Sequence, residues 1–223
     1  MMKRLLLLFA GLVFCLPLFA QYDFATEFER QTVVSTASPK FHNYYISLQN
    51  APKPGGGSVF YIYSQTSSHA DATRFQFHLG SSVEESLQTL DKLQEILTSR
   101  PVEATDTLQN YNSRSEVKVV ASKRKRQGNV LRIRNNGQTG VVYLTRQTLD
   151  IMEDALRHWN PETGSSFDKL QLSDRAAIQA EINRYANRLS STKSTPTDYA
   201  PSFKKLFKQR IREYKKDLQA VQP

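Results

Sequence analysis

The segment that most constrains the fold is residues 116–158, where apolar and polar residues alternate before they adopt a helical period. Alternation with a period of two predicts strands that bury one face. Three stretches show it: 116–125, 129–135 and 140–145. An Asn136-Gly137 pair separates the last two stretches and favours a type I′ hairpin turn. Thr145 is a suitable N-cap for a helix over 146–158, so the segment predicts an antiparallel meander that ends in a covering helix.

A similar plan precedes this segment. Strands are predicted over three earlier stretches: 41–48, 59–65 and 73–79. A helix over 82–99 follows them, because Ser82 and Glu85 form a capping box and leucines recur at helical spacing. We therefore expect an α+β fold with antiparallel meander sheets. Two tandem βββα units, at 41–100 and 113–159, would place their helices on one face.

The first twenty residues have the three parts of a secretory signal peptide. Basic Lys3 and Arg4 precede an apolar run over 5–19, and the small residue Ala20 ends it. An uncleaved anchor is the alternative, but the run is short for a membrane span and contains a proline. We predict cleavage near Ala20, export to the periplasm or the extracellular space, and a polar tether over 21–40.

Residues 160–223 predict a C-terminal extension of two helices. The last helix, over 202–221, places six apolar residues along one side: Phe203, Leu206, Phe207, Ile211, Tyr214 and Leu218. An apolar stripe covers a surface, and we expect this one to cover the domain of the chain itself. Lysines beside the stripe leave two alternatives open, a membrane surface and a partner protein.

The chain is basic, with 30 lysines and arginines against 21 aspartates and glutamates, for a net charge of +9. Its only cysteine, Cys15, belongs to the predicted signal peptide, so we expect no disulfide. The positive charge is concentrated in the second half of the chain. Such a distribution attracts anionic partners, although a solvated face that keeps the protein soluble explains it equally well.

No catalytic motif for nucleotide binding or for a serine nucleophile occurs in the sequence. The histidines, at 42, 69, 78 and 158, lack metal-binding spacing, and His69 with Asp71 provides too few ligands for a site. We expect no metal and no cofactor. A hydrolase whose site is assembled from distant residues stays open as an alternative.

The polar side of the second unit is the candidate binding surface. If the apolar residues of its strands face the core, four residues project together from the opposite side: Lys118, Arg132, Arg134 and Tyr143. The hairpin between its first strands adds a basic run: Lys123, Arg124, Lys125 and Arg126. The matching set in the first unit is Tyr61, Tyr63, Arg74 and His78. Cations and stackable rings together suit a polyanion, whereas ordinary cross-strand pairing of arginine and tyrosine on a solvated sheet is the alternative.

The second unit resembles a repeat of the purine-rich-element-binding (PUR) proteins over residues 116–159. The similarity rests on the basic hairpin 123–126, the strand 131–134 and the Tyr143-Leu144-Thr145 strand end that leads into a helix. The resemblance implies tandem repeats that bind single-stranded nucleic acid through their sheet. The first unit shows no comparable basic hairpin, and the predicted export disfavours nucleic acid as the partner.

Taken together, these features favour an exported, non-enzymatic binding protein with a basic face for an anionic partner. The partner would be an anionic polymer, a lipid surface or another protein. A PUR-like module for single-stranded nucleic acid and a hydrolase with an unrecognised site are the alternatives.

Overall fold

The computed structural model describes residues 30–37, 45–53, 56–65, 74–110, 113–121, 128–137, 140–194 and 201–221. The first half of this region contains strands β1 Gln31–Ala37, β2 Tyr45–Pro52, β3 Ser58–Gln65 and β4 Arg74–Gly80, then helix α1 Val83–Ser99. The second contains strands β5 Thr105–Asn110, β6 Ser113–Ala121, β7 Asn129–Asn135 and β8 Val141–Leu144, then helices α2 Arg146–Arg157, α3 Arg175–Ser194 and α4 Pro201–Ala220.

The strands form two antiparallel sheets, which confirms the predicted α+β class. Each sheet has four strands in the order of the chain, β1-β2-β3-β4 and β5-β6-β7-β8. The predicted βββα units are therefore ββββα units. The extra strands were missed because both lie at sheet edges and contain few apolar residues. An edge strand is held by hydrogen bonds to one neighbour and needs little apolar surface of its own.

Strand β1 lies within 21–40, where the sequence predicts a tether, and this part of the prediction is wrong. The strand pairs with β2 from Gln31 to Ala37, with a register shift between Thr32 and Val34. The carbonyl of Val33, at this irregularity, accepts a hydrogen bond of 2.5 Å from the Ser166 hydroxyl. A loop near the C-terminal helices thus covers the outer edge of the first sheet.

The helix starts follow the predicted capping chemistry. The Ser82 hydroxyl accepts from the Glu85 amide at 3.1 Å, and the Glu85 carboxylate accepts from the Ser81 amide at 2.7 Å. Thr145 caps α2 in the same way, accepting from the Thr148 amide at 3.1 Å. Gly80 allows β4 to turn directly into α1, because a Cβ there would lie 2.6 Å from Cβ of Glu85.

The turn after β7 differs from the type I′ hairpin predicted at Asn136-Gly137. Gly137 has a φ of +80°, but Asn136 is not among the residues with positive φ. A type I′ turn needs positive φ at both central residues. Since β7 ends at Asn135 and β8 begins at Val141, the connection is longer than a two-residue turn.

The two units share one hydrophobic core. Helix α1 packs against β4 of its own sheet and β7 of the other, while α2 packs against α1 and β1. Side chains from both sheets and all four helices belong to a single buried cluster. A further link is the buried Asn135 amide, which accepts from the Ser115 hydroxyl and donates to the Gln76 carbonyl on β4. The units therefore do not pack as separate bodies.

Helices α3 and α4 form an antiparallel pair that is part of this core. The Arg175 guanidinium at the start of α3 donates to the Leu218 and Val221 carbonyls at the end of α4, at 3.3 and 3.2 Å. Tyr185 of α3 and Tyr214 of α4 are fully buried, with ring centroids 6.2 Å apart. The C-terminal extension is thus integral to the fold. No helix among the described residues is long and apolar enough to cross a membrane.

Candidate polyanion-binding face

The outward side of the second sheet carries the candidate residues that the sequence predicts. Strand register places Lys118 opposite Arg132, and Arg132 opposite Tyr143. Arg134 lies two residues along β7 from Arg132, and so projects from the same side. Arg114, which was not in the predicted set, lies on this side of β6 at alternate spacing. We call Arg114, Lys118, Arg132, Arg134 and Tyr143 the basic sheet face.

Two of these cations are paired with glutamates. Lys118 Nζ lies 2.5 Å from Glu103 Oε2, and an Arg132 guanidinium nitrogen lies 2.9 Å from Glu116 Oε1. Like charges directly opposite one another on neighbouring strands destabilise a sheet. Each glutamate therefore offsets the repulsion between Lys118 and Arg132. Of the two ion pairs, only that of Arg132 with Glu116 joins two neighbouring strands, because Glu103 precedes β5.

Arg114 and Arg134 differ from this pair. Both are exposed, and neither forms an ion pair within the part of the chain that the structure describes. Glu116 lies opposite Arg134 in the register, but its carboxylate contacts Arg132 instead. The Arg114 carbonyl accepts from the Asn136 amide at 3.1 Å, which fixes the backbone of this arginine beside the end of β7. Two guanidinium groups are thus positioned on adjacent strands and face solvent.

The remaining predicted members of this surface fall into two groups. The basic run Lys123, Arg124, Lys125 and Arg126 lies outside the described residues. Tyr143 is half-buried and lies opposite Arg132 in the strand register. The structure thus brings together Lys118, Arg132, Arg134 and Tyr143, as the alternation predicts.

The outward side of the first sheet has a different chemistry. Tyr61 and Tyr63 are only 4% and 3% exposed, so these rings do not stand free for stacking as the alternation predicts. The Tyr61 hydroxyl donates to Gln49 Oε1 at 2.9 Å, and the Gln49 amide donates to the Ser47 hydroxyl at 3.0 Å. Arg30 lies over the Tyr63 ring, 5.2 Å from its centroid. We call Ser47, Gln49, Tyr61 and Tyr63 the tyrosine face.

His78 lies beside this tyrosine face. Its ring is tilted against Tyr61 with centroids 6.1 Å apart. Burial lowers the pKa of His78, and the charge of Lys53 acts in the same direction. Burial raises the pKa of Tyr61, although Arg30 acts against it. His78 and Tyr61 are therefore both held in their neutral forms near neutral pH. The side chain of Arg74, the fourth predicted member of this surface, lies outside the described residues.

A second charged cluster, which sequence reasoning missed, joins α2 to α3. Arg188 contacts three carboxylates of α2: Asp150 at 3.0 Å, Glu153 at 3.2 Å and Asp154 at 2.8 Å. The Arg188 side chain is 16% exposed and that of Asp154 is fully buried. We call Arg188 and these three carboxylates the arginine clasp. The three acids recur at helical spacing on α2, but nothing in the sequence shows which of many arginines they would meet.

Burial and charge act against each other within the clasp. Burial raises the pKa of Asp154 to about 6, against the opposing charge of Arg188. One oxygen of this carboxylate, Oδ1, is buried and has no hydrogen-bond partner among the described residues, which is consistent with that rise. Burial would also raise the pKa of Glu153, but hydrogen bonding to Arg157 and the charge of Arg188 outweigh it and lower the value.

His158 lies next to the clasp and is also buried. Its Nε2 lies 3.2 Å from both Glu181 Oε2 and the Tyr185 hydroxyl, and its Nδ1 lies 2.6 Å from the Asp154 carbonyl. A histidine, a carboxylate and a tyrosine in contact could move protons, but the His158 side chain has no exposed surface. A substrate cannot reach it, so this group holds α3 in place.

Residues that could bind a metal do not cluster in the described part of the chain. No group of three or more histidine, cysteine, aspartate or glutamate side chains has a suitable arrangement among those residues. His42, His69 and Asp71 lie outside them.

The predicted membrane or partner stripe of the last helix packs against the chain itself. Phe207 and Tyr214 are fully buried, and the other four are partly buried against the same core: Phe203, Leu206, Ile211 and Leu218. Tyr214 also accepts a hydrogen bond from the Leu170 amide at 2.8 Å. Because these contacts occupy the stripe, it does not offer an apolar surface to a membrane or a partner.

Comparison with known proteins does not assign the chain to a family. No protein-family model matches it, and no curated protein has a matching sequence.

Proposed function

We propose that this chain is an exported, non-enzymatic protein that binds an anionic partner through the basic sheet face. The observation that supports this proposal most directly is the exposure of Arg114 and Arg134, which have no carboxylate partner among the described residues. A guanidinium group is always charged and presents several donors in a fixed plane, which suits phosphate, sulfate and carboxylate groups. Two such groups on neighbouring strands can contact successive anionic groups of one partner.

The paired cations also support this function. Lys118 is neutralised locally by Glu103, which precedes β5, and Arg132 is neutralised by Glu116 on the neighbouring strand β6. The face therefore divides into cations that stabilise the sheet and cations that are open to a ligand.

Replacing both exposed arginines with glutamine tests the proposal. The variant Arg114→Gln/Arg134→Gln should bind heparin about tenfold more weakly at low salt, because binding with two fewer ionic contacts releases fewer counterions. The difference should narrow as salt rises, since exposed charges are screened over about 8 Å at physiological ionic strength. Fluorescence anisotropy with labelled heparin measures both effects.

A matched control removes two exposed cations from elsewhere. Lys92 on α1 and Arg146 on α2 are exposed, and neither lies on the sheet. The variant Lys92→Gln/Arg146→Gln has the same net charge as the test variant. Equal losses in the two variants would show that only net charge matters and would refute a specific face.

Single-stranded nucleic acid is the second candidate partner, supported by the position of Tyr143 beside Arg132. Stacking of a base on an aromatic ring contributes about 1–3 kcal/mol in single-strand-binding proteins. The Tyr143→Leu variant separates the candidates, because it removes stacking and keeps apolar volume. Weaker binding of an oligonucleotide with unchanged binding of heparin would favour nucleic acid.

A further inference from the structure

The outer side of helix α4 carries a row of cations. Its exposed charged side chains are all basic: Lys205, Lys208, Arg212, Lys215 and Lys216. At 1.5 Å per residue and 100° per residue, these positions span roughly 16 Å along the axis and about a third of its circumference. None of the five forms an ion pair with a described residue. We call them the α4 row.

The acidic residues of α4 point away from this row. Asp217 pairs with Lys169 at 2.7 Å, and Glu213 pairs with Arg210, whose guanidinium also donates to the Phe167 carbonyl at 2.8 and 3.0 Å. Both carboxylates are thus occupied by contacts to the body of the protein. Acidic and basic residues often alternate along a solvated helix face, but on α4 they lie on two different sides of the helix.

The neighbouring helix does not widen the row into a patch. Most exposed residues of α3, where side chains are described, are uncharged: Ala176, Gln179, Ala180, Asn183, Ala186, Asn187 and Ser190. The exposed cation of α3, Arg175, is held at the end of α4 by two carbonyls. Among the described residues of these two helices, the exposed cations without a partner therefore lie on α4 alone. A helix that binds a membrane inserts its apolar face, and the apolar side of α4 is packed into the core. An anionic chain that contacts the cations from solvent is therefore the better match.

The row also lacks the groups that recognise bases. The other exposed residues of α4 are Gln209, Gln219 and Ala220, and its aromatic residues are turned into the core. Proteins that bind single-stranded nucleic acid combine cations with aromatic rings on which bases stack. A row that offers charge alone suits a polymer that is recognised by its sulfate or carboxylate groups.

We propose that the α4 row is a second binding surface, which holds a linear anionic polysaccharide along the helix axis. This surface lies on a different element from the basic sheet face and does not depend on the function proposed for it. Its five cations would contact successive anionic groups and release their counterions. Binding should therefore be strong at low salt and steeply weakened by added salt.

The test compares three variants that each lose two exposed cations. Lys208→Gln/Arg212→Gln changes the middle of the α4 row, Arg114→Gln/Arg134→Gln changes the sheet, and Lys92→Gln/Arg146→Gln is the control. Glutamine keeps the helix propensity close to that of lysine and arginine, so the fold should be retained. A short heparin oligosaccharide is titrated into each variant from 50 to 200 mM salt, and site numbers are measured by calorimetry.

We expect the α4 variant to lose one heparin-binding site that the control keeps, or at least about tenfold in the affinity of that site, whether or not the sheet provides another. The slope of log affinity against log salt is negative, and for that site it should become less steep by roughly one to two. If the α4 variant has a lower melting temperature, Lys205→Gln/Lys215→Gln in the same row replaces it, and the same losses are expected.

Three outcomes would overturn the proposal. The first is an α4 variant that binds heparin as the control does. The second is a single-stranded oligonucleotide of equal charge that binds the row as tightly as heparin. The third is binding to vesicles rich in anionic lipid that is tighter than binding to heparin and that disappears in the α4 variant. This result would assign the row to a membrane surface. Loss of binding in the sheet variant alone would support the basic sheet face and refute the α4 row.

Discussion

The two sheets have the same strand order, but their outward faces differ in chemistry. The tyrosine face of the first sheet is buried and mostly neutral, with hydrogen bonds that run from Tyr61 through Gln49 to Ser47. The basic sheet face of the second is charged, and Arg114 and Arg134 stand exposed on it. Repetition of an architecture therefore does not repeat a surface. Strand order follows from the apolar side of each sheet, while binding depends on the chemistry of the other side, which differs between the two sheets.

The largest expected effect concerns the arginine clasp, which secures the helix of the second unit. Replacing Arg188 with methionine leaves three carboxylates without their cation, and one of them, Asp154, is fully buried. Breaking a buried pair by removing one partner costs about 3–5 kcal/mol. Urea unfolding should show a loss of this size in the free energy of unfolding.

Arg184 provides the matched comparison for the clasp. It lies on the same helix and pairs with Glu181 alone among the described carboxylates. Arg184→Met should cost distinctly less than Arg188→Met. Equal losses would show that the C-terminal helix pair is held by apolar packing, and that the clasp contributes little.

The next effect compares a tyrosine from each face. Tyr61→Ala should cost about 3 kcal/mol, because it removes a buried ring and leaves Gln49 without its donor. Tyr143→Ala, on the half-buried side of the second sheet, should cost about 1 kcal/mol or less. Chemical denaturation of the two variants gives both values. A large loss at Tyr143 would remove the distinction between a packed face and an open one.

The pH dependence of stability gives a smaller effect. Because the pKa of Asp154 is raised to about 6, the folded protein takes up a proton there at a higher pH than the unfolded chain. Stability should therefore rise by about 1–2 kcal/mol as the pH falls from 7 to 5. Below that range the lowered pKa values of Glu153 and Glu181 reverse the trend, because their stabilising ionised forms are lost.

The Asp154→Asn variant isolates this carboxyl group, since an amide does not titrate. Its free energy of unfolding, measured by urea titration at pH 5, 6 and 7, should vary much less than that of the wild type. Asp150, whose pKa is also raised by burial, keeps a residual dependence of the same sign. An undiminished dependence in Asp154→Asn would assign the effect to another group.

Local chemistry in the sequence predicts much of this fold. The period-two stretches identify six of the eight strands, and the caps at Ser82 and Thr145 define where α1 and α2 begin. These predictions succeed because a side chain that alternates toward a core, or a hydroxyl that satisfies a free amide, acts over a few residues. The α+β class and the apolar stripe of α4 follow from the same short-range rules.

The basic sheet face is predicted only in part. Alternation places Lys118, Arg132 and Arg134 on one side, but the glutamates that neutralise two of them cannot be identified from the sequence. Glu103 precedes β5 and reaches Lys118 only because that strand pairs with β6. Pairing partners are set by the register of the sheet, which the alternation of each strand does not specify by itself.

By itself, the sequence determined the strands of each meander, the caps of α1 and α2, and the basic character of the second half. Tertiary structure decided that β1 and β5 complete the sheets, that both units share one core, and that Arg188 meets three carboxylates of α2. It also turned the apolar side of α4 inward and left its cations in a row at the surface. The physical reason is the range of the interactions. Periodicity and capping are local, whereas edge pairing, burial and ion pairing depend on residues that are distant in the chain.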